Sequence, residues 1–267
     1  MRRLAVAFIA VLSLAACEVS QEQEVTLGRQ AAEEVNARLP VVNDPVVARY
    51  VNALGMRIAR ATPRADLDWH FYIVDSKEVN AFALPGGFVY VNRGLVERAE
   101  NLSELAGVLG HEIGHVTLRH SVRQLEAEQK TSIAVTLLCT LTNVCESSTA
   151  RVAINVGGSA LFAKHSRDDE READAEAVRT LVRVGISPAG VPSLFETLIA
   201  ERARQPGLVD AWFGTHPLEE SRVEETRRLV AQLDPATLGT LVVDSPEFRT
   251  FRRRVRSLPA PPEPRQP

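Results

Sequence analysis

His111-Glu112-Ile113-Gly114-His115 is the string in this 267-residue chain whose residue types and spacing suffice for metal chemistry. Side chains four apart share one face of a helix, so His111 and His115 can each aim a ring nitrogen at the same ion. Glu112 projects beside that face. It can take a proton from a water on the ion without itself ligating. Zinc with three protein ligands and an open fourth position lowers the pKa of that water to about 7. The chemistry indicated is attack of water on a carbonyl, with Glu112 as the base that then passes the proton to a leaving amine.

A third ligand must come from another segment. A metzincin would need Gly at 118 and His at 121, where this chain has Leu118 and Ser121. His120 is out of phase with the pair and reads as a neighbour of the ligands or a surface residue. The run from Ser166 to Asp174 (SRDDEREAD) offers more. Glu170 and Asp174 are four apart on a helix, so Glu170 can ligate while Asp174 accepts a ligand histidine's N–H and fixes its tautomer. Glu172 points about 200° away from Glu170 on an ideal helix and is not expected to ligate.

These groups need helices to hold them and a sheet to cover them. Periodicity predicts helices over Val25–Leu39, from Asp44-Pro45 to about Ala61, from Asn101 through the HExxH string, over Asp168–Val184, from Ser187-Pro188 onward, and over Glu219–Leu233. Trp69–Val74 reads as a strand. Asn80–Leu84 and Phe88–Asn92 read as two more around a Pro85-Gly86-Gly87 turn. Residues 131–163 are almost free of charge. They fit either a pair of buried helices or a lid or membrane-facing hairpin.

Composition sets outer limits. With 45% apolar and 24% charged residues, the chain can bury a core without disulfide staples. A net charge of −3 provides no global basic field, which argues against nucleic acid as a partner. Met1–Ala16 reads as an export signal: Arg2 and Arg3, a short apolar run, then Leu14-Ala15-Ala16-Cys17, a string that resembles a bacterial lipobox. Cleavage before Cys17 leaves 251 of the 267 residues and, by removing two arginines, takes the charge from −3 to −5. Acylation of Cys17 would tie the chain to a membrane. Glu18, rather than Asp, after that cysteine leans towards the outer membrane.

Four anchors in order, Asn80–Gly87 (NAFALPGG), HEIGH at 111–115, the Ser166–Asp174 run and Thr215-His216-Pro217, resemble the zinc metallopeptidases that include the CAAX prenyl proteases, the HtpX proteases and the BepA-like and LoiP-like periplasmic proteases. The resemblance runs from about Val25 to Leu229. It implies an α+β, mainly helical, gluzincin-type fold with a small sheet above the HExxH helix. It implies one Zn2+ per chain on His111, His115 and Glu170, with Glu112 as catalytic base and Asp174 behind the ligands. Membrane-embedded members carry several transmembrane helices and BepA-like members a helical repeat domain. Neither is expected here, so the nearest likeness is to compact LoiP-like lipoproteases.

In such folds an edge strand can take substrate as an added strand. Ala81, Phe82, Ala83 and Leu84 are the candidates, with Gly86 setting the bend. His216 has two readings: a group that stabilises the oxyanion, or a fourth ligand that holds the enzyme latent. Arg222 is expected to orient substrate or the acidic helix. Cys139 and Cys145 can form a local disulfide in an oxidising compartment. Arg249, Arg252, Arg253, Arg254 and Arg256 read as one solvated basic face, with anionic lipid as the alternative.

The expected organisation is a signal at 1–16, a tether at 17–24, a peptidase domain at 25–235, an extension at 236–258 and a disordered Pro-rich tail at 259–267. The expected activity is zinc-dependent endoproteolysis of misfolded or misassembled envelope proteins by a lipid-anchored periplasmic enzyme, probed against the alternative of a chaperone-like lipoprotein that holds clients on its edge strand.

Overall fold

A computed structural model describes residues 18–128, 165–217 and 220–261. The export signal, Cys17, Cys139, Cys145, the 131–163 segment and residues 262–267 of the tail lie outside the described residues. In chain order the elements are α1 (Gln21–Arg38), α2 (Pro45–Ala59), β1 (His70–Val74), β2 (Ala81–Leu84), β3 (Phe88–Asn92), α3 (Arg93–Arg98), α4 (Leu102–Thr117), α5 (Arg167–Arg183), α6 (Gly190–Arg204), α7 (Pro206–Thr215), α8 (Glu220–Ala231), α9 (Pro235–Leu238) and α10 (Pro246–Arg256). Residues 120–128 are also helical. The fold is mainly helical with one small sheet. No helix among the described residues is long and apolar enough to cross a membrane.

The sheet order is β1-β3-β2, with β3 parallel to β1 and antiparallel to β2. The central strand β3 is buried along its whole length, as a strand flanked on both edges and both faces must be. Alternation sorts the two faces. Phe71, Ile73, Val89 and Val91 point into the main core, while Tyr72, Phe82, Phe88 and Tyr90 form a second cluster closed by Ala32 and Val35 of α1. β1 and β2 are the two edge strands among the described residues, and β2 packs on α4.

Helix α4 is buried all round from Leu102 to Val116, which makes it the central rod of the domain. Asn101 caps its start, accepting from the Glu104 N–H at 3.1 Å. Two glycines on α4 let α5 approach closely. A Cβ at Gly114 would meet the Ala173 carbonyl oxygen at 3.0 Å, and one at Gly110 would meet the Ala177 Cβ at 3.3 Å. That contact sets the HExxH face of α4 directly against Glu170 and Asp174 of α5.

Two segments differ from expectation. Gln21–Glu24, placed in the tether by its polarity, forms the first turn of α1, where a Ser20–Gln23 capping box satisfies the helix start and Glu24 is fully buried. Residues 246–256, placed in an extension, share the main core: Phe248, Phe251 and Val255 are buried, and Phe251 stacks on Tyr50 with ring centroids 4.3 Å apart. The arginines of this helix stay largely exposed and also make contacts along its flank. Arg252 and Arg256 donate to the Glu97 carbonyl and Arg254 pairs with Asp44.

Candidate metallopeptidase site

Four buried side chains converge: His111 and His115 from α4, Glu170 from α5, and His216 at the end of α7. One ligand atom from each lies within 4.8 Å of the others. The closest approaches are 3.0 Å between His115 Nε2 and His111 Nε2, and 3.0 Å between His216 Nδ1 and Glu170 Oε1. His111 Nε2 lies 3.3 Å from His216 Nδ1 and 3.5 Å from Glu170 Oε2.

The surrounding acceptors fix the tautomers, because ionised carboxylates can only accept. His111 Nδ1 lies 2.8 Å from Asp174 Oδ1, so it carries the proton and Nε2 presents a lone pair. The second histidine is set through a longer chain. His120 Nε2 faces Glu172 Oε2 at 3.2 Å and donates to it. His120 Nδ1 is therefore an acceptor, and it takes the N–H of His115 Nδ1 at 2.7 Å. His115 Nε2 is then also a lone pair. In the neutral rings, two lone pairs 3.0 Å apart in a dry site beside a carboxylate need either a proton or a metal ion between them. The donor set fits a metal ion on chemistry as well as on geometry.

Burial and charge act differently on the ligating groups. Desolvation pulls the His115 imidazole well below its usual value, which keeps it neutral and able to ligate. Burial also opposes charge on His111, but the Asp174 and Glu170 carboxylates outweigh it and raise it to about 9, so a metal ion must displace a proton from its Nε2 to bind. Against burial, the His216, His111 and His115 side chains hold Glu170 well below the carboxylate range. Glu112 has no such neighbour at hydrogen-bonding distance, and burial pushes its carboxyl up. Its Oε1 lies 3.5 Å from His216 Nε2.

Arg222 holds the rear of the site. Its Nε and Nη2 donate to both oxygens of Asp174 at 2.8 Å, and its Nη1 lies 2.5 Å from Glu170 Oε2. It therefore orients the acidic helix. His216 ends α7 as its C-cap, and Trp212 one turn earlier stacks on its ring at 4.5 Å. Glu172 turns away from the donor ring to His120 and Arg123.

His165 is the residue that sequence reasoning missed. Its ring stacks on His115 with centroids 3.9 Å apart, and its backbone N–H donates to the Thr215 carbonyl beside His216. Burial takes it down to about 3. The available signal was its position immediately before the Ser166 capping box of the Glu170 helix. Five of the six histidines in the chain thus form one cluster, and only His70 lies apart.

The substrate candidates stand at the mouth. The hydrogen bond from Asn92 N–H to the Asn80 carbonyl sets the ladder phase. Phe82 and Leu84 then exchange bonds with β3, while the N–H and C=O groups of Ala81 and Ala83 point away from it; Ala81 is fully buried and Ala83 is partly exposed.

An HExxH helix whose histidines meet a glutamate from a second helix, beneath an edge strand, defines a metallopeptidase of the gluzincin type. Comparison with known proteins makes the assignment narrower. The chain belongs to peptidase family M48, whose model matches residues 45–230. It is 30% identical to the beta-barrel assembly-enhancing protease of Escherichia coli over 231 residues, 84% of this chain and 46% of that protein. It is 32% identical to metalloprotease YcaL of Escherichia coli over 185 residues, 69% of each chain. With metalloprotease LoiP of the same organism it shares 29% identity over 220 residues, 79% of this chain and 82% of that one. The chain spans about half the length of the beta-barrel assembly-enhancing proteases it matches.

Proposed function

We propose that this metallopeptidase is a zinc-dependent endopeptidase of the bacterial envelope that cuts misfolded or misassembled proteins. The observation that carries the proposal is the convergence of His111, His115 and Glu170 on one point, with Glu112 buried beside it. Two imidazoles and a carboxylate suit zinc. Bound there, the ion would supply Lewis-acid polarisation of the scissile carbonyl and acidify a water.

The remaining work falls to the chain's own groups. Glu112, its pKa raised by burial, takes the proton from the attacking water and delivers it to the leaving nitrogen. Asp174 and the His120–Glu172 pair keep His111 and His115 in their ligating tautomers. The outward-facing backbone of β2, accessible at Ala83, binds an extended substrate through its backbone. Backbone pairing reads an unfolded chain rather than particular side chains, which suits damaged proteins.

His216 has a dual capacity, and its place in the donor ring supports the latent role. With Nδ1 3.0 Å from Glu170 Oε1 and Trp212 stacked on its ring, it would join His111, His115 and Glu170 in holding the ion and leave no room for a water there. Opening would require the Thr215-His216-Pro217 corner to swing out.

For location, the support is the Leu14–Cys17 string, which would put a lipid on Cys17, and the name of the beta-barrel assembly-enhancing relative. The reading is of a periplasmic enzyme tied to the outer membrane. Its test is fractionation and metabolic palmitate labelling of the full-length protein and of Cys17→Ser, with zinc analysis and cleavage of an unfolded outer-membrane protein. Label on Cys17, about one zinc per chain and chelator-sensitive cleavage are expected. An unlabelled soluble protein would remove the anchor, and cleavage indifferent to chelation would remove the mechanism.

A further inference from the structure

Glu24 is a fully buried carboxylate that the chemistry above does not use. Three donors from three separate segments converge on it. Its Oε1 accepts from Arg64 Nη1 at 2.6 Å and from the Gly86 N–H at 3.3 Å, and its Oε2 accepts from Arg119 Nε at 2.8 Å. Gly86 belongs to the turn that ends the edge strand β2. Arg119 follows the last turn of the HExxH helix, and Arg64 also donates to the Val116 carbonyl of that helix at 3.2 Å. One carboxylate therefore ties the end of the substrate strand to the end of the active-site helix.

The packing around it has no slack. A Cβ on Gly28 would sit 1.8 Å from the Pro85 carbonyl oxygen, so α1 is seated directly on the turn. Gly86 has φ +77°, and its Cα hydrogen side faces Val25 closely enough that a Cβ would lie 2.8 Å from the Val25 Cα. Arg119 holds φ +59°, a left-handed conformation disfavoured for a residue with a side chain. It is kept there by the Glu24 pair and by donation to the Val19 carbonyl. A small cavity runs between these two ends, lined by Glu24, Ala83, Leu84, Pro85, His115 and Val116. It connects the carboxylate knot to a metal-facing histidine and to the strand.

We propose that Glu24 is a positioning residue for substrate: it fixes how β2 is seated on the HExxH helix and so sets where the strand's outward edge, and an extended chain paired to it, lies relative to the metal ligands. The inference rests on the reading of the outward edge of β2 at Ala83 as the substrate-pairing edge. A carboxylate is needed because it offers two acceptor oxygens and a negative charge to two guanidinium groups and an amide. Glutamine would leave its NH2 facing one of those cations.

The test compares Glu24→Gln, Arg119→Gly and Ala83→Pro in the full-length, metal-loaded protein with an unfolded protein substrate. Arg119→Gly serves where Glu24→Gln fails to fold, since glycine adopts the left-handed conformation without strain. Ala83→Pro removes one outward N–H from an edge strand, a place where proline is tolerated. Glu24→Gln or Arg119→Gly is expected to raise KM about tenfold, with kcat within about twofold and metal content unchanged. A merely structural role would instead lower kcat and metal content together, and that result overturns the proposal. If Ala83→Pro raises KM and the Glu24 and Arg119 variants do not, the edge strand binds substrate but Glu24 does not position it. If Ala83→Pro leaves KM unchanged, the edge-strand reading fails and the proposal falls with it.

Discussion

Replacing Asp174 by asparagine tests whether a buried carboxylate fixes the metal-binding state of His111. Asp174 is almost fully buried and has two tasks: it faces His111 Nδ1 at 2.8 Å and accepts two hydrogen bonds from Arg222, each 2.8 Å long. Asparagine keeps the shape but has one acceptor oxygen. If that oxygen stays with His111, the NH2 faces the Arg222 guanidinium, donor against donor. If it turns to Arg222, the NH2 faces His111 Nδ1, favours the opposite tautomer and places a proton on the ligating Nε2. Either arrangement weakens the site. Loss of such a partner typically costs 10- to 100-fold in metal affinity, about 1.4–2.7 kcal/mol. Removing one charge from a buried pair adds a stability cost of about 3 kcal/mol, at the lower end of its range because Glu170 still pairs with Arg222. In a domain of this size that lowers Tm by roughly 6–12 °C. The assay is a competition titration against a buffered zinc indicator at 25 °C, with Glu172→Gln as the control, since Glu172 is half exposed and acts one residue further out. Its affinity is expected to fall no more than about threefold. An Asp174→Asn protein that binds zinc within twofold of the parent, or no more weakly than Glu172→Gln, would refute the tautomer argument.

Other consequences are equally direct. Gly114→Val places branched carbons where a Cβ alone would meet the Ala173 backbone at 3.0 Å, so thermal melting should show a loss of at least about 2 kcal/mol together with loss of metal, whereas intact binding would mean that α4 and α5 can separate freely. Asn101→Ala removes the cap of the HExxH helix and should cost about 1 kcal/mol in denaturant unfolding without changing metal stoichiometry. Chelation should lower Tm and abolish cleavage, and readdition of zinc should restore both, because an ion bound only to the folded state stabilises it by mass action. His216→Ala should raise basal cleavage if the side chain closes the donor ring and lower it if it serves the transition state; unchanged rate and unchanged accessibility of the metal to a small chelator would exclude both roles.

The chemistry-bearing residues were legible where one element carried the full pattern. HEIGH on α4 and the Glu170/Asp174 pair on α5 follow from helical phase, and the proline, glycine and capping residues set most boundaries to within a few residues. The three strands and their turn follow from β-branched and aromatic runs. What escaped depends on long-range contacts. Glu24 sits in a polar stretch and is buried only because Arg64, Gly86 and Arg119 come to it from elsewhere in the chain. The apolar triplet of Phe248, Phe251 and Val255 is spaced for a helix face but is obscured by five arginines, several of which are consumed by carbonyls and Asp44. His120 has no helical phase with the ligand pair, and only the break after α4, where Arg119 turns left-handed, brings its ring back to His115. His165 is contiguous with a capping box, and nothing in its immediate sequence announces that its ring lies against His115.

The central claim is that Glu112 acts as the base beside a metal held by His111, His115 and Glu170. The most direct measurement is the cleavage rate of an unfolded protein by Glu112→Gln, with the metal content of the same preparation determined alongside. Glutamine is nearly isosteric and ligates nothing here, so metal content and melting should match the parent while cleavage falls by at least about 10²-fold. Cleavage at the parental rate by a fully metallated Glu112→Gln protein would contradict the account.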